Sequence, residues 1–219
     1  MAASKIAVHA LSISVALIGA GGIASLSLFD ATILQAQPAD RSLPAIRWLF
    51  SRGSHIFPQA AFLSAAGFAY SAYDALPQNT KTLSQLLKTT NGLKVNGFLA
   101  AAVLAMSIGP FTSYMIPNNF ALIEKNEELG GARSQRSAEQ QRQLGSEPGQ
   151  GSAEDSVSNK RGVDEYSDLS KPQSKTARSS TDAEDKEVRD MLAKFARQNW
   201  VRAFLLGGGG IAGLVTALL

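Results

Sequence analysis

The sequence predicts an all-α integral membrane protein: a four-helix bundle with a long disordered hydrophilic loop between helices 3 and 4. The first observation behind this is four apolar stretches, roughly residues 6–29, 56–76, 95–116 and 203–219. None contains Lys, Arg or Glu, and the one Asp lies near the end of the second. A hydrocarbon core about 30 Å thick needs about 20 residues at 1.5 Å rise, so each stretch can cross, the last only just. Lipid offers no partner for backbone N–H and C=O groups, so such segments must be helical. The second observation is contrast. Residues 1–123 hold most of the hydrophobic content, whereas Glu124–Arg189 is almost wholly polar.

The first apolar stretch follows Lys5. A small-residue site at Leu34-Gln35-Ala36 leaves a cleaved secretory signal open as an alternative. The run of about 24 residues exceeds the usual signal core of about 7–15, which favours a retained helix. Gly19, Gly21 and Ala24 fit the G-x-G-x-x-A turn of dinucleotide folds, with Asp40 near an acidic ribose position. A dinucleotide fold needs strands alternating with amphipathic helices, and the following segments are too long and apolar for that. Gly19, Gly22 and Ser25 are better placed to let a neighbouring helix approach.

Asp30–His55 joins the first two spans. Pro38 and Pro44 argue against one continuous helix there, and Ala45–Arg52 is expected as a short interfacial helix with Trp48 among headgroups. Pro77–Lys94 forms the second connection, with a helical stretch over 80–90. The third span carries Pro110 and Pro117, expected to break or kink it. The polar loop 124–184 has Val157 and Val163 among its few large aliphatics, too little to offset ordering entropy, and is expected to be disordered over about 130–180. Order resumes near Asp182, where Glu187, Met191, Phe195 and Ala196 set up an amphipathic lead-in to the fourth span. The domains are thus 1–123, 124–184 and 185–219. Gly207-Gly-Gly-Gly210 and Gly213 in the last span read as a close-packing face or a kink.

The chain has 219 residues and a net charge of +3, with no dense basic patch to bind nucleic acid. It has no Cys and two His, so no thiolate site forms and little remains for a transition metal. No cofactor motif survives inspection. The expected partner is the lipid bilayer; protein partners are not indicated. Four spans put both ends on one side with Lys5, Lys81, Lys88 and Lys94. Arg41, Arg47, Arg52, Lys125, Lys194, Arg197 and Arg202 fall opposite, which leans toward cytosolic first and third loops. An endomembrane is favoured, with no organelle singled out.

Polar residues at helix ends are where chemistry is sought, because burying them is costly without a use. His55, in Gly53-Ser-His-Ile-Phe-Pro58, suits a general base at neutral pH, or an interfacial residue bonded to backbone or headgroup. Asn118 and Asn119 after Pro117 either cap freed carbonyls or bind a ligand. Arg202, after Asn199 and Trp200, either snorkels to phosphates or points inward to stabilise an anion.

Together these elements resemble a known family. A Gly-rich first span precedes G-x-x-x-x-P (Gly53, Pro58). The third span ends in P-x-N-x-x-L (Pro117, Asn119, Leu122), and the fourth opens with N-x-x-R (Asn199, Arg202), with aromatic Phe195 four positions earlier. This is similar to the small membrane family DUF1772, which includes the fungal anthrone oxygenases, over about residues 6–123 and 185–219. The polar insert lies outside it. The resemblance implies oxidation of an anthrone-type polyketide to a quinone by O2, a hydrophobic aromatic substrate, and no metal or flavin. It further implies His55 as base with Asn119 and Arg202 stabilising the anion. The alternative is a non-enzymatic membrane scaffold, or a small transporter subunit, whose polar loop recruits partners.

Overall fold

The computed structural model describes residues 2–88, 90–145, 151–158 and 166–219. Among these it is all helix and connection, with no strand. The elements are α1 (Ala2–Ser25), a π-helical turn (Leu26–Asp30), α2 (Ala31–Gln35), α3 (Ala39–Asp74), a 3₁₀ turn (Gln78–Thr80) and α4 (Leu83–Leu86). Then come α5 (Leu93–Met106), α6 (Ile108–Glu128), α7 (Gln135–Gln143), α8 (Ala153–Val157) and α9 (Asp182–Ala217). Among the described residues, three helical stretches are long and apolar enough to cross a membrane: Ala3–Gln35, Leu93–Glu128 and Asp182–Ala217. The stretch at 56–76, carried by α3, is not one of them. Pro58, Gln59, Ser64, Tyr70, Ser71 and Tyr73 dilute its apolar character.

Two compact units divide the chain. The first comprises Met1–Ser25, Ile56–Ser113 and Asn199–Leu219. Its core draws on α1 (Ala16, Ala20, Ile23), α3 (Ala61, Ala65, Phe68, Ala72), α5 (Val95, Phe98, Ala101, Ala102, Ala105), Ile108 of α6 and α9 (Ala203, Leu206). Spacings of three and four put these residues on single helix faces. Most are alanine, so backbones come close. A Cβ on Gly209 would sit 2.9 Å from the Ala101 carbonyl oxygen and 3.1 Å from the Ala105 nitrogen. The glycine run is therefore a packing face within an unbroken helix, and Gly19 and Gly22 likewise meet Ala60, Leu206 and Phe57.

Buried hydroxyls in this unit return to their own helices. Ser12, Ser64, Ser71 and Thr216 each bond the carbonyl four residues back, at 2.7–2.8 Å, which removes polar demand inside an apolar bundle. The Asp that closes the second apolar stretch, Asp74, pairs with Lys5 at 2.6 Å and Lys81 at 3.1 Å.

The second unit comprises Leu26–His55 and Tyr114–Gln198. Residues 45–52, expected as a separate short helix, are part of α3, which runs from Ala39 straight through Pro44 and Pro58. Pro38 sits before the first turn, where its carbonyl accepts from Arg41 and Ser42. Pro44 cannot bond the Asp40 carbonyl, and the Thr176 N–H takes that acceptor at 2.9 Å. A proline is tolerated because another segment replaces the missing donor. Trp48, expected among headgroups, instead donates to the Ser170 carbonyl at 2.9 Å. In the third apolar stretch the helix is interrupted at Ser107, close before Pro110, while Pro117 lies within α6.

Part of the loop expected to be disordered, residues 146–150 and 159–165 with Val163, lies outside the described residues. The described remainder contains α7 and α8 and bonds to longer helices. Gly130, at φ 71°, ends α6: its N–H reaches the Glu127 carbonyl and that of Gly131 the Asn126 carbonyl. The N–H groups of Ala177 and Arg178 then bond the Gly130 and Leu129 carbonyls. Thr181 and Glu184 cap α9 reciprocally: each backbone N–H bonds the other's side chain, at 2.8 and 3.3 Å.

Candidate functional site

Along α9, Val188, Leu192, Phe195, Asn199, Arg202 and Leu206 recur at spacings of three and four, and all are buried. Two polar side chains thus occupy the stripe that the helix turns inward. Of the four residues that set up the amphipathic lead-in, Phe195 lies on the stripe and Glu187, Met191 and Ala196 flank it. Asn199 is 0% exposed and Arg202 7%, so Arg202 points inward and does not snorkel.

Within the first unit, Arg202 Nη1 donates to Asn199 Oδ1 at 3.0 Å. Its guanidinium carbon lies 5.9 Å from the centre of the Phe57 ring, a cation–π distance. Nε is buried and has no hydrogen-bond partner among the described residues, and Arg202 forms no ion pair there. Asp74 is the sole carboxylate side chain of this unit, and Lys5 and Lys81 already hold it. No carboxylate side chain of the unit remains for Arg202. Burying a guanidinium without an anion is costly, and the planar fork of Nε and Nη suits a bidentate or single oxyanion. The arrangement can hold an anion beside an aromatic ring.

The other two expected residues belong to the second unit. His55 closes the part of α3 assigned there, and its ring lies against Tyr166, 4.6 Å between centres with the planes tilted by 37°. Asn119 carries a buried Oδ1 with no hydrogen-bond partner among the described residues. Its neighbour Asn118 is more deeply buried and donates to the Met191 carbonyl at 3.2 Å. The structure thus joins Arg202 to Asn199 and Phe57, and His55 to Tyr166.

The polar residues not singled out from sequence lie around Asp168. Its Oδ1 accepts from the Ser170 N–H at 3.0 Å and Oγ at 2.7 Å, and its Oδ2 from Ser134 Oγ. The Arg52 guanidinium bonds the Asp168 carbonyl. Arg47, buried, bonds Ser156 through its side-chain oxygen at 3.1 Å and its carbonyl at 2.9 Å. Burial pushes the Asp168 carboxyl up, but the Ser134 and Ser170 hydrogen bonds and the charge of Arg133 outweigh it and hold the group below its ordinary range. Asp168-Leu-Ser170 is an Asx-turn pattern, and Ser134 is a good helix N-cap. Those local signals were present in the sequence; the docking between them, across 34 residues, was not.

No family model, curated protein or solved structure matches this chain.

Proposed function

We propose that the chain is a four-span membrane protein that binds the anion of a hydrophobic aromatic molecule at Arg202 and oxidises it with O2, in the manner of the anthrone oxygenases it resembles. One observation carries this: a buried guanidinium, held by Asn199 and covered by Phe57, with no carboxylate of its own unit left to neutralise it. A phenolate or enolate meets both demands of that place. Its oxygen supplies the missing negative charge and its ring packs against an aromatic face.

The fourth span is the 56–74 part of α3. Ile56, Phe62, Leu63 and Tyr70 are exposed on it while Ala61, Ala65, Phe68 and Ala72 are buried. Apolar outside and small inside is the pattern of a helix between lipid and a bundle.

Chemically, the anthrone methylene loses a proton to the base, the resulting electron-rich anion adds O2 at that carbon, the peroxide anion takes the proton back, and the hydroperoxide loses water to leave the carbonyl. One O2 is consumed and one water released per quinone. Arg202 stabilises the oxyanion through the first step. His55 as base and Asn119 as second donor rest on the resemblance alone.

The test is expression in a heterologous membrane supplied with an anthrone, following quinone formation and O2 uptake. Arg202→Leu is expected to lower turnover by about 10²-fold, the usual effect of removing one oxyanion donor. Equal turnover in wild type and Arg202→Leu would discard the site. Unchanged turnover in His55→Ala would remove His55 as base. Absence of any quinone leaves the scaffold reading, which the hydrogen-bonded polar unit around Asp168 favours.

A further inference from the structure

The connection between α3 and α5 is built, and it exposes an unusual combination. Leu86 packs against the core of the first unit. Gln85 Nε2 donates to Asn91 Oδ1 at 3.1 Å, Asn91 Nδ2 to the Gln85 carbonyl at 2.8 Å, and Asn96 Nδ2 to the Asn91 carbonyl at 2.7 Å. These bonds fix the connection beside the start of α5. Held that way, it presents Leu83, Leu87 and Leu93 outward, at 75, 83 and 72% exposure. Lys88 and Lys94 are exposed beside them.

Charge in this unit is lopsided. Against the single carboxylate of Asp74 stand Lys5, Lys81, Lys88, Lys94 and Arg202. Asp74 is taken by Lys5 and Lys81, and Lys81 also lies 5.3 Å from the Tyr73 ring centre. Lys88 and Lys94 form no ion pair among the described residues. Three outward leucines with two available lysines have the composition suited to a bilayer interface. In such an interface leucines enter the acyl boundary, while a lysine runs its methylenes along it and places its ammonium at the phosphates.

We infer that the described part of this connection, with Leu83, Leu87, Lys88, Leu93 and Lys94, is a membrane-surface foot that selects anionic lipid. The inference rests on the membrane reading above. Water would leave the three leucines unburied, and a zwitterionic surface offers no net charge to answer the lysines. An anionic leaflet satisfies both, and because the anionic leaflet faces the cytosol it places this connection there, the reverse of the orientation toward which the loop charges lean.

Because the chain has no native cysteine, single cysteines report cleanly. The full chain carrying Leu87→Cys, labelled with an environment-sensitive fluorophore, goes into nanodiscs of phosphatidylcholine alone or with phosphatidylglycerol. Emission from position 87 should be shifted to the apolar range and quenched by a nitroxide near the lipid headgroup, more so with the anionic lipid. Adding Lys88→Gln and Lys94→Gln should abolish that dependence, the preference for anionic lipid falling about fivefold per lysine removed. A label at 87 that reports water in both lipids overturns the inference, as does an undiminished preference in the double variant. Phe62→Cys, outward on α3, serves as the separate control. If its label also reports water, the membrane reading itself falls; if it alone reports lipid, only the foot does.

Discussion

Glycine has opposite meanings at two positions of this molecule. At Gly209 an added Cβ meets the backbone of α5, at 2.9 Å from the Ala101 oxygen, and backbone cannot rotate aside as a side chain can. At Gly21 it meets nothing within 4 Å. Gly209→Ala should therefore destabilise the first unit by about 1–3 kcal/mol, as overpacking does. Gly21→Ala should be neutral or stabilise by up to about 1 kcal/mol, the helix-propensity gain. Thermal unfolding of both variants in one detergent measures this, and equal shifts would contradict the packing described. The sequence displayed the glycines and a helix-packing role for them. Which of them touch a partner depends on helix rotation, and composition does not encode rotation.

At the scale of elements, α7 shows how a short polar helix is held. Its first N–H groups are all answered: Gln135 by the Lys171 carbonyl at 2.9 Å, Arg136 by Ser170 Oγ at 3.3 Å, Ser137 by Ser134 Oγ at 3.0 Å. The same Ser134 hydroxyl donates to Asp168, whose negative charge near a helix N-terminus is itself favourable. Because the fold lowers the Asp168 pKa, its stabilisation is complete above the ordinary aspartate value of 3.8 and is lost as pH falls through the folded value. Exchange at the amides of 135–138, corrected for intrinsic rate, should rise on acidification by an amount reflecting about 2 kcal/mol. Asp168→Asn should exchange fast throughout and show no such pH step. This part of the molecule was the least legible in the sequence. A Ser-, Gln- and Arg-rich stretch cannot form an apolar core, and that physical rule underlies the expectation of disorder. What it omits is order by hydrogen bonding to existing helices: Thr176 to Asp40, Arg47 to Ser156, Trp48 to Ser170. Pro44 was misleading for the same reason, since its helix-breaking effect is cancelled by a donor 132 positions away that no local pattern announces.

For the whole molecule, the count of membrane crossings decides where the chain ends lie. The three longest apolar helices alone would put them on opposite sides; α3 as a fourth puts them together. On the four-span proposal, Ser4→Cys and Leu219→Cys, each in the otherwise cysteine-free chain, should react with an impermeant maleimide from the same face of sealed vesicles. Reaction from opposite faces would limit the crossings to an odd number. Helix class and the approximate positions of the apolar stretches were legible because apolar length is a property of consecutive residues. The pairing of Arg202 with Asn199 was half legible, since i and i+3 on a helix adjoin. That this pair faces inward, lacking an acid of its own unit, required the structure.

The contact faces of α9 also bear on time. Gly207 meets Ala20, Gly209 meets Ala101 and Ala105, Gly210 meets Ala16 and Leu17, and Gly213 meets the Phe68 ring, so α1, α3 and α5 all complete their packing on it. Residues 129–181 separate α9 from α6. At about 5–20 residues per second a ribosome takes roughly 3–10 s to traverse that stretch. On the four-span proposal the earlier helices wait for those seconds with the cleft for α9 open, and a nascent chain in that state is a natural client for whatever shelters unfinished bundles.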